Sequence, residues 1–272
     1  MEKEVYAQVK LAVKELLGID LDCYKEEQMK RRLDSWLARA GALNWPAYFE
    51  RLQTDEIELV RFRDYLTINV SAFFRDPERW QNLRQKVIPD LLESAVHREH
   101  GKGDTLPAPC LRLWSAGCSM GVEAYSLAIL LEELTPNRRH CLLATDLDRG
   151  ALAKAQARGP YTADEVQNVS PVQRAKYFQA GGPPFFVSEA LAERVEFREL
   201  DLLSHDFVRD MDLIVCRNVV IYFTEEAKAK LYRRFFEALR PGGVLFLGGT
   251  EVILRASDIG FRSYGISFYQ RP

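Results

Sequence analysis

Along the first 80 residues apolar positions recur at helical spacing, and no stretch alternates as a strand would. Val5, Val9, Ala12, Val13 and Leu16 form one stripe, closed by Gly18, a residue type suited to the left-handed backbone at a helix end. A second helix is predicted over Lys25 to Ala40, with Met29, Leu33, Trp36 and Leu37 facing inward and Gly41 as its stop. Trp45 to Gln53, with Pro46 in its first turn, and Ile57 to Leu66, with Leu59, Val60 and Phe62 among its packing residues, complete a helical bundle. Between His97 and Pro109 the cluster Gly101, Gly103, Pro107 and Pro109 breaks the pattern; it reads as the loop before a first strand rather than a domain boundary. From there apolar runs (Leu111 to Ser115, Cys141 to Thr145, Val195 to Leu200, Asp212 to Cys216, Val244 to Leu247) alternate with helical segments such as Val122 to Leu134 and Glu225 to Leu239. Strand–helix alternation implies right-handed crossovers and a parallel sheet covered by helices on both faces. Phe261 to Gln270 has a Tyr264-Gly265 turn signal and no intervening helix, so it is expected to add an antiparallel hairpin at the sheet edge. The predicted fold class is therefore α/β: an all-α domain at 1–80, then a doubly wound, mostly parallel sheet domain at 81–272.

Composition narrows the function classes. A formal charge of −2 supplies no general basic field, so nucleic acid is not an expected partner. No apolar run approaches the roughly 20 residues that span a bilayer, and Met1-Glu2-Lys3-Glu4 lacks a signal peptide's basic-then-apolar order, so a cytoplasmic protein without membrane insertion is expected. Five scattered cysteines (Cys23, Cys110, Cys118, Cys141, Cys216) without a CxxC argue against a disulfide framework or zinc site and read as buried free thiols. His97 and His100, at i, i+3 without a third ligand, read as surface residues, and no metal is expected.

In an open α/β sheet, ligands bind beyond the carboxyl ends of the strands, which singles out four places. After the first strand, Ser115-Ala116-Gly117-Cys118-Ser119-Met120-Gly121 would let a ligand approach the backbone, though it lacks G-x-G-x-x-G spacing. Glu123, at the start of the next helix, would face a ligand's ammonium group or simply favour the helix N-terminus. After the second, Asp146 would accept from a ribose diol or cap the helix beginning near Asp148. After the third, Asp201 and Leu202 offer an acceptor for an exocyclic amine and an apolar flank for a purine. After the fourth, Cys216-Arg217-Asn218-Val219-Val220-Ile221-Tyr222-Phe223 joins polar groups and aromatics to a buried strand; Tyr222 would place its hydroxyl at a reaction centre or pack its ring.

Together with Thr67-Ile68-Asn69-Val70-Ser71-Ala72-Phe73-Phe74-Arg75-Asp76, Trp114-Ser115-Ala116, Tyr125-Ser126, Pro241-Gly242-Gly243 and Thr250-Glu251, these segments closely resemble the CheR-type chemotaxis receptor methyltransferases over nearly the whole chain. The resemblance implies a Rossmann-like methyltransferase sheet, with the C-terminal hairpin as its usual ending, and a small inserted β-subdomain at about 179–197. It implies S-adenosylmethionine as cofactor, S-adenosylhomocysteine as product, and methyl transfer to glutamate side chains on the cytoplasmic helices of chemoreceptors. By the same resemblance Asn69, Ser71, Arg75, Gly117, Glu123, Asp146, Asp201, Leu202, Arg217 and Asn218 would surround the cofactor, and Arg75 and Tyr222 would serve catalysis near the methyl group. Lys25, Arg32 and Arg39, seven residues apart on the helix that in the family faces the receptor, would form a basic edge steering an acidic substrate or be ordinary solvated charge. A glutamate carboxylate is ionised at neutral pH, with an unperturbed pKa of about 4.3, so Arg75 and Tyr222 are expected to position rather than abstract a proton.

The chain departs from the family pattern in two places. Val122 and Ala124 flank Glu123 where an acidic residue and a proline are usual, so the helix start is expected to differ slightly. After Tyr177-Phe178, the run Gly181-Gly182-Pro183-Pro184-Phe185-Phe186-Val187 leads quickly to Glu189-Ala190-Leu191, so the β-subdomain looks shortened and is expected not to bind the receptor pentapeptide that tethers some members. A monomer is expected. The rival readings are a methyltransferase of the same build with another acceptor and a noncatalytic adaptor that binds S-adenosylmethionine; a nicotinamide oxidoreductase fits the glycine spacing poorly.

Overall fold

A computed structural model of the protein describes residues 1–67, 71–100 and 110–272, apart from the side chains of 97–100. The chain forms two compact units, Met1–Asn69 with Val220–Lys230, and Val70–Val219 with Leu231–Pro272. The division falls at 69/70 rather than near 80 because Phe73 and Trp80 are buried in the core of the sheet unit.

The first unit holds α1 (Lys3–Leu17), α2 (Glu26–Arg39), α3 (Trp45–Thr54) and α4 (Glu56–Leu66). Gly18 ends α1 in the left-handed region, its N–H returning to the Lys14 carbonyl. Asn44 and Asp55 cap α3 and α4 by accepting from the N–H groups of Ala47 and Glu58. The buried stripe of α1 is Tyr6, Val9, Val13 and Leu17, shifted by a position from that expected because the larger Tyr6 and Leu17 fill the interior. On α4, Val60 is exposed, not packed; Phe62 and Leu66 set the inner face, together with Glu58. The Glu58 carboxylate accepts from the Tyr48 hydroxyl at 3.2 Å and lies 3.4 Å from the Arg51 guanidinium, which makes its burial tolerable. Phe62 meets Trp45 and Tyr48 in an aromatic core, with the Tyr48 pair edge-on.

A strand-like strap ties Tyr222 into this unit. Tyr24 and Phe223 form an antiparallel bridge with their rings edge-on, the Lys25 N–H donates to the Tyr222 carbonyl at 2.9 Å, and the Thr224 N–H donates to the Cys23 carbonyl. Tyr222 itself ends a 3-10 turn, Val220–Tyr222.

The second unit contains α5 (Pro77–Asn82), a π-helical turn at Leu83–Val87, α6 (Ile88–His100), β1 (Arg112–Ala116), α7 (Val122–Leu134), β2 (Cys141–Asp146), α8 (Arg149–Gln156), α9 (Pro171–Tyr177), α10 (Glu189–Ala192), β3 (Val195–Glu199) and β4 (Met211–Cys216). It closes with α11 (Glu225–Ala238), whose first turns group with the helical unit, then β5 (Leu239–Leu247), α12 (Ala256–Ile259), β6 (Arg262–Gly265) and β7 (Phe268–Gln270). The sheet order is β3-β2-β1-β4-β5-β7-β6, parallel through the first five strands and antiparallel at β7 and β6. The order reverses between β1 and β4, which makes the ends of these strands the binding crevice. β4 is buried at all six positions, and α7 is buried from Val122 through Leu131, as befits a central strand and the helix that covers it.

β5 is longer than expected. Leu239 pairs with Met211 ahead of a register shift, so Pro241-Gly242-Gly243 lies within the strand as an irregularity rather than before it. Beneath it Asp212, 2% exposed, accepts from the Arg112 N–H and the Arg240 guanidinium, locking β1, β4 and β5 at their N-terminal ends. Over 179–197 the expected β-subdomain amounts, among the described residues, to two isolated antiparallel bridges, Tyr161↔Phe185 and Phe178↔Val187, followed by α10 and the start of β3. The cysteines are all free, but Cys110 and Cys141 are exposed rather than buried, because they lie at the open N-terminal edges of β1 and β2; their thiols are 3.9 Å apart. Asn69, the 101–109 part of the predicted loop, and the side chains of His97 and His100 lie outside the described residues. Among the described residues no helix is long and apolar enough to cross a membrane, and no group of three His, Cys, Asp or Glu could hold a metal.

Candidate functional site

The carboxyl ends of β1, β4 and β5 converge on a charge network built around the buried Arg217 and Glu123. Arg217, one residue beyond β4 and 7% exposed, donates through Nη2 to the Arg75 carbonyl at 2.9 Å and to Asp76 Oδ2 at 2.6 Å. Its Nη1 lies 3.7 Å from Glu123 Oε2, while Glu123 Oε1 accepts from the Ser115 hydroxyl at 2.8 Å. The guanidinium also lies over the rings of Phe246, 4.9 Å away, and Trp80, 5.8 Å away. Its Nε is buried and finds no hydrogen-bond partner among the described residues.

Glu123 sits in the first turn of α7, where the helix dipole favours an anion, yet burial dominates and pushes its carboxyl up to about 7. Arg217 and the Ser115 hydrogen bond pull it down, Glu251 pushes it up, and Arg75 pulls it down. Burial keeps this carboxylate on the edge of ionisation, so a cation brought beside it would be favoured.

The loop between β1 and α7 hugs β2. Gly117 and Cys118 both donate to the Thr145 carbonyl, at 2.8 and 2.9 Å, and Ser119 donates to Asp146 Oδ2 at 2.7 Å. Asp146 also accepts from the Asp148 N–H at 2.9 Å, whereas the cap of α8 is Asp148 itself, which accepts from Ala151. Asp146 therefore braces the loop, and burial raises its pKa. Gly117 has φ +80°, and a Cβ there would stand 2.5 Å from Val219 Cγ2. Glycine is required twice over, by backbone and by space. Gly117→Ala is therefore expected to cost roughly 1–3 kcal/mol of stability and to weaken binding of a ligand lying against this loop. Calorimetry on Gly117→Ala and on the Gly117→Ala/Val219→Ala pair checks this: the second change relieves the clash but not the backbone strain, so recovery should be partial.

The structure thus brings together Arg217, Glu123, Asn218 and the Arg75 backbone. Ser71 and Arg75 are half-buried and precede α5. At the end of β3, Asp201 is engaged in its own turn, accepting from the Leu203 N–H and the Ser204 hydroxyl, both at 2.8 Å, while Leu202 is buried. Tyr222 and the basic residues Lys25, Arg32 and Arg39 belong to the helical unit. There Arg32 donates to the Tyr65 carbonyl and lies 4.6 Å from the Tyr65 ring, with Arg39 at 5.5 Å from the same ring. At least part of the basic stripe is thus occupied in holding the end of α4. Sequence reading missed Asp76, Ser115 and Glu251 as members of the network; the only signal was their presence in the segments that carry the family resemblance.

A parallel sheet of this order, with a glycine cradle after β1 and a cation-seeking carboxylate at the head of α7, fits a nucleoside ligand bearing an amino acid. Two family models match in tandem: the CheR methyltransferase all-alpha domain over residues 4–67 and the CheR methyltransferase SAM binding domain over residues 69–267. The chain belongs to the CheR methyltransferases. A chemotaxis protein methyltransferase of Listeria innocua is 40% identical over 269 residues, covering 99% of this chain and 97% of the relative. The corresponding protein 1 of Pseudomonas aeruginosa is 33% identical, covering 89% and 87%, and that of Borreliella burgdorferi is 33% identical, covering 87% and 83%. As a CheR methyltransferase the chain binds S-adenosylmethionine and acts in chemotaxis. The residues present fit that cofactor. Glu123 would suit its ammonium, the buried Nε of Arg217 its carboxylate and Asp146 its ribose, and Gly117 leaves the close approach open.

Proposed function

We propose that this CheR methyltransferase esterifies glutamate side chains on the cytoplasmic helices of chemoreceptors, yielding glutamyl methyl esters. The cofactor supplies a sulfonium-bound methyl group. The protein's share is to hold the amino acid end of the cofactor on Glu123 and Arg217 and to orient an acceptor that is already anionic, a task for which we assign Arg75 and Tyr222. Bidentate guanidinium contacts orient a carboxylate well, but too tight a pairing would blunt the nucleophile. The observation that carries this reading is the 40% identity to a chemotaxis protein methyltransferase over 99% of the chain, which takes in both the helical and the cofactor-binding segments. The helical segment includes Lys25, just before α2, with Arg32 and Arg39 on α2, to which we assign the recognition of an acidic receptor helix.

The test is incubation of the protein, labelled S-adenosylmethionine and membranes carrying the receptors of the same organism. Base-labile label on the receptors is expected, as for a carboxyl ester. Base-stable label would point to another acceptor group, and cofactor binding without transfer to a noncatalytic adaptor. We further propose that activity needs no receptor pentapeptide tether. What supports this is the short stretch after Phe178, with two isolated bridges in place of a ladder that an incoming strand would extend. Calorimetry should detect no affinity for that peptide.

A further inference from the structure

We propose that Glu251 is a positioning residue for cofactor binding, clamping the splayed ends of β4 and β5 so that Arg217 and Asn218 present themselves to the cofactor. The inference depends on the cofactor and not on the identity of the methyl acceptor, so failure of the glutamate assignment would leave it standing.

The β4–β5 ladder ends at the pair Cys216↔Leu247. Beyond it the strands part, and the next main-chain donors need another acceptor. One carboxylate oxygen supplies it: Glu251 Oε2 accepts from the Asn218 N–H at 2.8 Å and the Gly248 N–H at 2.7 Å. Glu251 is 4% exposed, three residues beyond the glycine it grips, with its own N–H returned to the Gly248 carbonyl. The following residue pair is braced as well, the Ile253 N–H donating to the Tyr269 hydroxyl at 3.1 Å.

The clamp fixes an unusual backbone. Asn218 has φ +60°, a conformation asparagine tolerates but does not prefer, and it directly follows Arg217. A Cβ at Gly248 would lie 2.6 Å from Glu251 Oε2 and 3.1 Å from the Asn218 nitrogen, so the clamp is built around a residue without a side chain. Through these bonds Glu251 acts on the groups it holds. It sets the Arg217–Asn218 turn, and its negative charge bears on Glu123. Glu123 is faced by the Ser115 hydroxyl from β1, Arg217 from the end of β4, Glu251 from beyond β5, and Arg75 from the segment before α5. Burial, then Glu251, hold its carboxyl up, against Arg217, the Ser115 hydrogen bond and Arg75.

Two variants separate positioning from bulk stability. Glu251→Ala removes the acceptor; Glu251→Gln keeps shape and one acceptor oxygen but removes the charge. Amide hydrogen exchange on the cofactor-free protein should show the Asn218 and Gly248 N–H groups exchanging at least about tenfold faster in Glu251→Ala, with partial rescue in Glu251→Gln. Titration with S-adenosylhomocysteine at pH 8 should show affinity lowered about tenfold or more by alanine and less by glutamine. Between pH 8 and pH 6 the wild type should lose affinity as Glu123 takes up its proton. Glu251→Gln should lose less over the same interval, because removing a like charge lets Glu123 stay ionised to lower pH. If Glu251→Ala does not fold, the glutamine variant alone carries the test. Wild-type exchange at Asn218 and Gly248, or a pH dependence unchanged or steeper in Glu251→Gln, would overturn the proposal.

Discussion

Glu123→Gln will raise the thermal midpoint of the cofactor-free protein at pH 8 while stripping it of most of its affinity for S-adenosylhomocysteine. The folded protein holds the Glu123 carboxyl near 7 against an ordinary 4.5, chiefly through burial. Between those values the folded state carries a proton that the unfolded chain has released. Stability is therefore fully present below about 4.5 and is lost as pH rises through about 7. Above that window the ionised group costs on the order of 3 kcal/mol, which a neutral isostere does not incur. Glutamine can still accept from the Ser115 hydroxyl, 2.8 Å from the carboxylate, so the shape of the site is kept. The expected gain is several degrees in the melting temperature at pH 8, shrinking toward zero near pH 5, where the wild-type group is itself neutral. Binding moves the other way. A buried carboxylate facing an ammonium makes a charge-assisted contact, and its loss should weaken the ligand roughly 10- to 100-fold. Thermal scans of the free variant and calorimetry with S-adenosylhomocysteine measure the two effects separately. A variant that is less stable than wild type at pH 8 would mean that Arg217 satisfies Glu123 fully, and the site would not be waiting for a cation.

That trade of stability for affinity is invisible in the sequence, although much around it was legible. The span of α7 was readable to the residue because an apolar helix follows the glycine loop without a break. The strands at the centre of the sheet read as short continuous apolar runs because both faces are covered. The rules for an open sheet then pointed to the loops after them, where Glu123, Asp146 and Arg217 do lie. What could not be read depends on contacts between distant segments. Pro241-Gly242-Gly243 looks like a turn, yet it is inside β5, since the pairing of Leu239 with Met211 outweighs local preference. Val60 fits an apolar helical face as well as Phe62 does, but the aromatic packing of Phe62 with Trp45 and Tyr48 chooses the face. Asp76 and Glu251 look like ordinary surface carboxylates; one meets Arg217 across 141 positions, the other holds Asn218 across 33.

Arg217 is where charge and geometry can be told apart. Arg217→Met keeps length and apolar contact with Phe246 and Trp80 but leaves Glu123 buried without its nearest cation and the Arg75 carbonyl without that donor. Breaking one side of a buried pair costs up to about 3–5 kcal/mol, and less where, as here, the group left behind can take up a proton. Glu123 would then be driven further toward its neutral form, so loss of S-adenosylhomocysteine binding should exceed that of Glu123→Gln. Arg217→Lys restores the charge without the planar fork. A lysine ammonium lacks the two separate Nη groups that serve the Arg75 carbonyl and Asp76 on one side and stand 3.7 Å from Glu123 on the other, and it leaves nothing in place of the buried Nε. If the fork is what joins the segment before α5 to the end of β4, the lysine variant will fold with a stability between methionine and wild type, yet bind at least about tenfold more weakly than wild type. Urea unfolding and calorimetry at pH 8 give both orders. Wild-type affinity in Arg217→Lys would show that a point charge near Glu123 suffices, and the ties to Arg75 and Asp76 would then serve the fold alone. An intermediate stability with sharply reduced affinity would place the specificity for the cofactor's amino acid end in the shape of the guanidinium rather than in its charge.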